Sequence, residues 1–168
     1  MTATQAMDCM EAIAAVLKVR FNNLNAVELA AINSSTSPYT NTIIGVSREM
    51  LTDEEFQQAG YLPGCALWDN GEDEPDAMSN QQRICRVRFT VITYYGAQPG
   101  AGTSSALGNS LAGDVLVAMA GSTNRTHNNT CINTFYKGFD KIDTAEGLGV
   151  GAVMQKFEAV YNATWDAP

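Results

Sequence analysis

The run "RICRVRFTVITYY", Arg83 to Tyr95, constrains the fold more than any other part of the chain. β-Branched and aromatic residues dominate it, and these side chains suit a pleated, half-buried surface. Neighbouring residues of a strand point to opposite faces, so Cys85, Val87, Phe89 and Val91 share one side. Ile84, Arg86, Arg88, Thr90 and Ile92 share the other. The first is a core face and the second is mixed. Arg86 and Arg88, on the mixed face, either pair with nearby carboxylates such as Glu72 or Asp73 or line a subunit contact or channel.

Other elements arrange themselves around this strand. "GCALWD", Gly64 to Asp69, is a short apolar run followed by the acidic, turn-rich "NGEDEPDAMSNQQ", a pattern of strand, solvated connection and strand again. The acidic residues Glu72, Asp73, Glu74 and Asp76 lack the spacing and the late bidentate glutamate of a calcium loop, so they read as a hairpin tip. Met10, Ile13, Leu17 and Phe21 recur at helical steps and predict an amphipathic helix from Asp8 to about Asn22. "NSSTSPYTNT" is a loop, "TNTIIGVSREML" allows a short strand, and "LTDEEFQQAGY" starts like a capped helical turn ended by Gly60 and Pro63. Leu107, Leu111, Val115 and Met119 predict a second helix from Thr103 to Ala120, packed against the sheet. Two further strands are expected over Ile132 to Ile142 and Val150 to Trp165, the latter with Val153, Phe157, Ala159 and Tyr161 on one face.

The bulk properties narrow the function. At 168 residues, with 45% hydrophobic and 17% charged residues, the chain reads as a single folded domain, 1–168. Ten Lys and Arg against 18 Asp and Glu leave a net charge of −8, which repels phosphate and disfavours a nucleic-acid grip. No uncharged apolar run reaches the roughly 20 residues needed to span a bilayer, so no membrane partner is expected. Cys9, Cys65, Cys85 and Cys131 are dispersed and His127 is the single histidine, which shows neither a zinc cluster nor a dithiol motif and suggests free thiols.

"VITYYGAQPGAGTSSALGNSLAGDVLVAMAG" has the element order of a phosphate loop, strand then glycines then helix. It lacks the lysine that meets the phosphates: Gly102 is followed directly by Thr103. Ser105 stands where a dinucleotide loop needs its third glycine. The loop therefore reads as a strand-to-helix turn, with Thr103 or Ser104 as helix cap. His127 lies in a polar loop without triad partners, no carboxylate pair stands out on apolar strands, and Gly147, Gly149 and Gly151 read as a flexible turn. No catalytic, cofactor or metal site is expected.

With "PGCALWD" before an acidic turn, "RVRFTVITYYG" running into "SALGNSLAGDVLVAMAG", and the closing "GAVMQKFEAVYNAT", the order of elements resembles the tail-terminator proteins of long-tailed bacteriophages, also called tail completion or minor tail proteins. The resemblance covers most of the chain and carries no catalytic signature. It implies an α+β fold, a mostly antiparallel β-sheet with two main helices packed on one face. It also implies a homo-oligomeric ring, six copies in such proteins, that caps the tail tube, stops its polymerisation and joins the tail to a neck protein. Double-stranded DNA would pass through without specific binding, and the protein would reside in the virion after assembly in the host cytoplasm. On this reading Arg86, Arg88, Ile92, Tyr94, Glu72 and Asp73 serve the ring interface or its lumen, and the segments Asn33 to Thr42 and Gly71 to Gln82 contact neighbours. The long Asn33 to Gly60 insert departs from a short terminator. The alternatives are another neck component, a head-closure or connector-completion protein, and a small-molecule or nucleotide-binding domain using the Gly96 to Ser105 loop.

Overall fold

The computed structural model describes Glu11, Ile13, residues 45–47, Glu55, Gln58, Gly60, residues 62–73, 76–77, 82–96 and 104–120, Thr126, and residues 131–142 and 150–164. Six strands and one complete helix lie within them: β1 (Gly45–Ser47), β2 (Gly64–Glu72), β3 (Asp76–Ala77), β4 (Gln82–Gly96), α1 (Ser104–Ala120), β5 (Asn133–Ile142) and β6 (Val150–Thr164). They form one sheet in the order β1-β2-β4-β6-β5, and β3 adds to β4 beside Arg83 and Ile84. Every pairing is antiparallel except β1 with β2.

The anticipated strand became β4, and it pairs with β6 in an unbroken register from Gln82↔Thr164 to Gly96↔Val150. Both neighbours of β6 run antiparallel to it, so β4 and β5 run parallel with β6 inserted between them. Helix α1 lies between β4 and β5 in the chain, which makes this a split β-α-β unit. A parallel connection requires a crossover, and the helix supplies it.

One sheet face carries the main core. Cys65 and Leu67 of β2, Cys85, Val87, Phe89 and Val91 of β4, and Val153, Phe157, Ala159 and Tyr161 of β6 are buried there with Leu111, Val115, Ala118 and Met119 of α1. Phe89 and Phe157 sit opposite each other in the register and stack with centroids 5.3 Å apart, and Tyr136 of β5 continues the row at 5.5 Å. Burial of Phe89 and Phe157 with the aliphatic residues around them drives the sheet and helix together. The opposite face has a smaller apolar cluster at one end, where Ala66, Ile92 and Ala152 are buried with Leu62, Tyr94 and Met154 against them.

This architecture corrects the expected α+β layering with two main helices on one face. Among the described residues the fold is mostly β, with one helix against a long sheet. The reason lies in β4 and β6, each 15 residues long and with side chains buried on both faces, so that strand pairing organises the molecule. Of the expected helix from Asp8 to Asn22, Glu11 and Ile13 are helical, and Ile13 is fully buried in the main core; the remainder lies outside the described residues. Glu55 and Gln58 are helical, as the capped turn before Gly60 anticipates.

Gly151 corrects a second expectation. It lies within β6 opposite Tyr95, not in a flexible turn, and an added Cβ would come within 2.5 Å of the Tyr95 ring. A Cβ on Gly108 of α1 would meet the same tyrosine hydroxyl at 2.7 Å. The tyrosine ring fills the space that these glycines leave between sheet and helix. Gly147 and Gly149 lie outside the described residues. No described helix is long and apolar enough to cross a membrane.

Candidate functional site

Alternation along β4 places Arg86, Arg88, Ile92 and Tyr94 on one face, the face opposite α1, as the sequence pattern requires. Their surroundings differ. Ile92 is buried in the small apolar cluster, with Tyr94 packed against it, so its side chain is already covered within the chain. Arg86 is half-buried and Arg88 is exposed. The sheet therefore brings the arginines together with the acidic turn, and separates them from the apolar end of the same face.

Glu72 and Asp73 stand where β2 meets the turn. A register irregularity between Asp69 and Glu72 is accommodated by Gly71, whose φ of 92° is a conformation that glycine tolerates best. The Asp73 amide donates to the Arg86 carbonyl at 2.9 Å, and the Arg88 guanidinium forms an ion pair with the Asp73 carboxylate. The carboxylate-pairing alternative for Arg88 is thus present in the structure. Glu72 instead accepts a hydrogen bond from the Tyr161 hydroxyl at 2.7 Å.

Arg88 belongs to a wider array of charges. Lys137 lies 3.1 Å from Glu158, and Lys156 lies 2.6 Å from Asp140, so each pair links β5 to β6. Arg88 and Glu158 are opposite one another in the β4–β6 register. A depression of about 310 Å³ runs among them, lined by Asn70, Arg88, Phe89, Lys137, Lys156 and Phe157. Its three cations each have an acidic partner, so charge is offset locally, which suits a solvated or protein-covered surface better than an anion site.

The chemistry-bearing side chains within the core are held in their neutral forms. Cys65, Cys85 and Cys131 are free thiols and buried. Burial pushes the Cys65 thiol up to about 12, against a small opposing effect of its hydrogen bond with Thr93. Cys85 rises to about 11, first through burial and then through its hydrogen bond with Glu72 and that carboxylate's charge. Burial, followed by the Glu72 contact, also raises Tyr161 above the ordinary phenol range. A protonated thiol is a poor nucleophile. Asp114 of α1 is a buried carboxylate that helical periodicity alone did not single out. Among the described residues no group of three or more His, Cys, Asp or Glu is placed to hold a metal ion.

The sequence reading missed the most exposed apolar surface. Ile132, Phe135, Tyr136 and Phe139, on or just before β5, are 37–49% exposed, and β5 pairs only with β6 among the described residues. Phe135 falls on the face opposite α1, and Tyr136 on the helix side, where its ring ends the buried aromatic row. Lys137 sits 5.8 Å from the Phe135 ring centroid. Gly138, with φ 120°, forms a bulge in which Lys137 and Gly138 together oppose Lys156. The signal was present in "INTFYKGFDKI": apolar residues occupy both parities and an internal glycine breaks the alternation. Among the described residues the other large exposed apolar side chain is Trp68 of β2, at 44%.

Thr103, the Gly100–Gly102 turn, Glu74, His127, the Asn33 to Thr42 segment and Cys9 lie outside the described residues. Ser104 is the first helical residue of α1. Compared with protein-family models and with curated proteins, the sequence matches none.

Proposed function

We propose that the chain is a structural subunit of a virion, a tail terminator whose copies join into a ring on the end of a tail tube. The observation that carries the assembly reading is the row Ile132, Phe135, Tyr136 and Phe139 along β5, apolar surface concentrated on one strand. Phe135 lies on one face of the sheet and Tyr136 and Phe139 on the other, so large apolar groups stand exposed on both sides of one strand, as protein contacts require. The order of elements carries the resemblance to terminators, and a net charge of −8 suits a lumen through which DNA slides. The ring would stop tube growth and present a second surface to a neck protein, with no chemical step of its own.

Light scattering of the purified protein, with negative-stain imaging, tests this. Rings with a pore wide enough for duplex DNA are expected, or rings that form when tube subunits are added. A protein that stays monomeric in both conditions overturns the proposal. Loss of the protein from an infected cell should give overlong tails; heads of normal tail length that leak DNA would favour a head-closure role instead.

A further inference from the structure

Asn70 and Gly71 form the one Asn-Gly pair in the sequence, and the fold sets it in an irregular stretch of β2. Asp69 opposes Phe89 and Glu72 opposes Val87, so Asn70 and Gly71 share the place across from Arg88. Such a bulge frees part of the chain from the ladder. Both residues are exposed. The Gly71 amide donates a hydrogen bond to Oδ1 of Asp69 at 2.8 Å, and Asn70 Nδ2 donates to Thr90 Oγ1 at 2.7 Å. The two groups that can close an imide are therefore adjacent and within reach of water, with a carboxylate already on the nitrogen.

The main-chain nitrogen after an asparagine lies within ring-closing reach of that residue's Cγ, and a glycine there brings no side chain to obstruct the approach. An amide nitrogen is a weak nucleophile until its proton is taken, which a hydrogen-bonded base can do. We propose that Asn70-Gly71 is a self-modification site at which the folded chain deamidates itself, with Asp69 as the base. The Gly71 nitrogen bonds to Asn70 Cγ while its proton passes to the Asp69 carboxylate. The Cγ–Nδ2 bond then breaks, and ammonia leaves with that proton. Water opens the cyclic imide at either carbonyl, giving aspartate or isoaspartate. Water is consumed, ammonia is released, and nothing is oxidised or reduced. The wall of the depression beside Arg88 thereby gains a carboxylate. Isoaspartate also adds a methylene to the main chain between Asp69 and Glu72, which draws Glu72 away from the Tyr161 hydroxyl.

Incubating the purified full chain at neutral pH, with peptide mass mapping over time, tests this whether or not copies of the chain assemble. The mass change of ammonia lost and water added should appear at Asn70, in both aspartate and isoaspartate forms. The native chain should react at least about tenfold faster than the same chain unfolded in urea, because only the fold holds Asp69 on the nitrogen. Asp69→Ser keeps a hydrogen-bond acceptor and removes the base, so it should bring the native rate down to the unfolded one. Circular dichroism checks that this exposed substitution leaves the fold intact, and the wild-type comparison needs no variant. A native rate at or below the unfolded rate overturns the proposal, as does an Asp69→Ser chain that reacts as fast as wild type.

Discussion

Gly151 shows how one atom can decide a position. Its hydrogen faces the Tyr95 ring, and a methyl in that place would be 2.5 Å from ring carbon, well inside contact distance. The ring is rigid and hemmed in by α1, so Gly151→Ala should cost about 1–3 kcal/mol, read as a lower urea midpoint with an unchanged slope. Shrinking the ring with Tyr95→Leu in the same chain should recover part of that loss. Cys65 allows a prediction of the opposite kind, about protons. Its folded pKa lies near 12 against an ordinary 9.0, so its contribution to stability is complete below about pH 9 and falls as pH rises toward 12. The wild-type urea midpoint should therefore drop above about pH 9, and the Cys65→Ala variant should drop less steeply. A slope unchanged by the substitution would refute the burial argument. Residues of this type were partly legible in the sequence. Cys85, Val87, Phe89 and Val91 were readable as one core face because strand alternation is local, whereas Gly151 was not, because the ring that needs it lies on another strand.

At the scale of elements, local periodicity identified pieces and could not say how they join. β2, β4, α1, β5 and β6 all fall near their expected limits, because alternation and four-residue spacing are properties of neighbouring residues. The insertion of β6 between β4 and β5 was not legible, nor was the dominance of the sheet over helical layers, since pairing of distant strands leaves no local mark. The mixed face of β4 was legible as mixed, but the division into a covered apolar end at Ile92 and a charged end at Arg88 depends on partners in β2 and β6. The end of β2 is fastened to β6 by the Tyr161 hydroxyl on Glu72. Tyr161→Phe should cost about 1 kcal/mol, because a half-buried carboxylate loses a donor while water replaces only part of it. Hydrogen exchange should be faster in β2 and at the Asp73 amide of that variant, with α1 unaffected. At Gly138, φ 120° disfavours any side chain, so Gly138→Val should destabilise by about 1 kcal/mol or more and loosen the end of β5.

For the whole molecule, a net charge of −8 sets copies against one another at a distance. Arg88, Lys137 and Lys156 each have an acidic partner within the chain, so they offer little net charge to a neighbouring copy. On the assembly reading, apolar contact works against general repulsion, and screening should strengthen association as salt rises. Sedimentation at low and high sodium chloride should show stronger association at high salt. Weaker association would mean that ion pairs between copies govern the joint.

The central position of β6 has a consequence for synthesis. β6 is the latest of the described strands to be made, yet it supplies an edge to both β4 and β5. Until residues 150–164 leave the ribosome, Phe89 has no stacking partner and β4 exposes an unpaired side rich in apolar groups. A nascent chain stalled before Val150 should accordingly be protease-sensitive and held by chaperones, and one stalled well past Thr164 should be released from them.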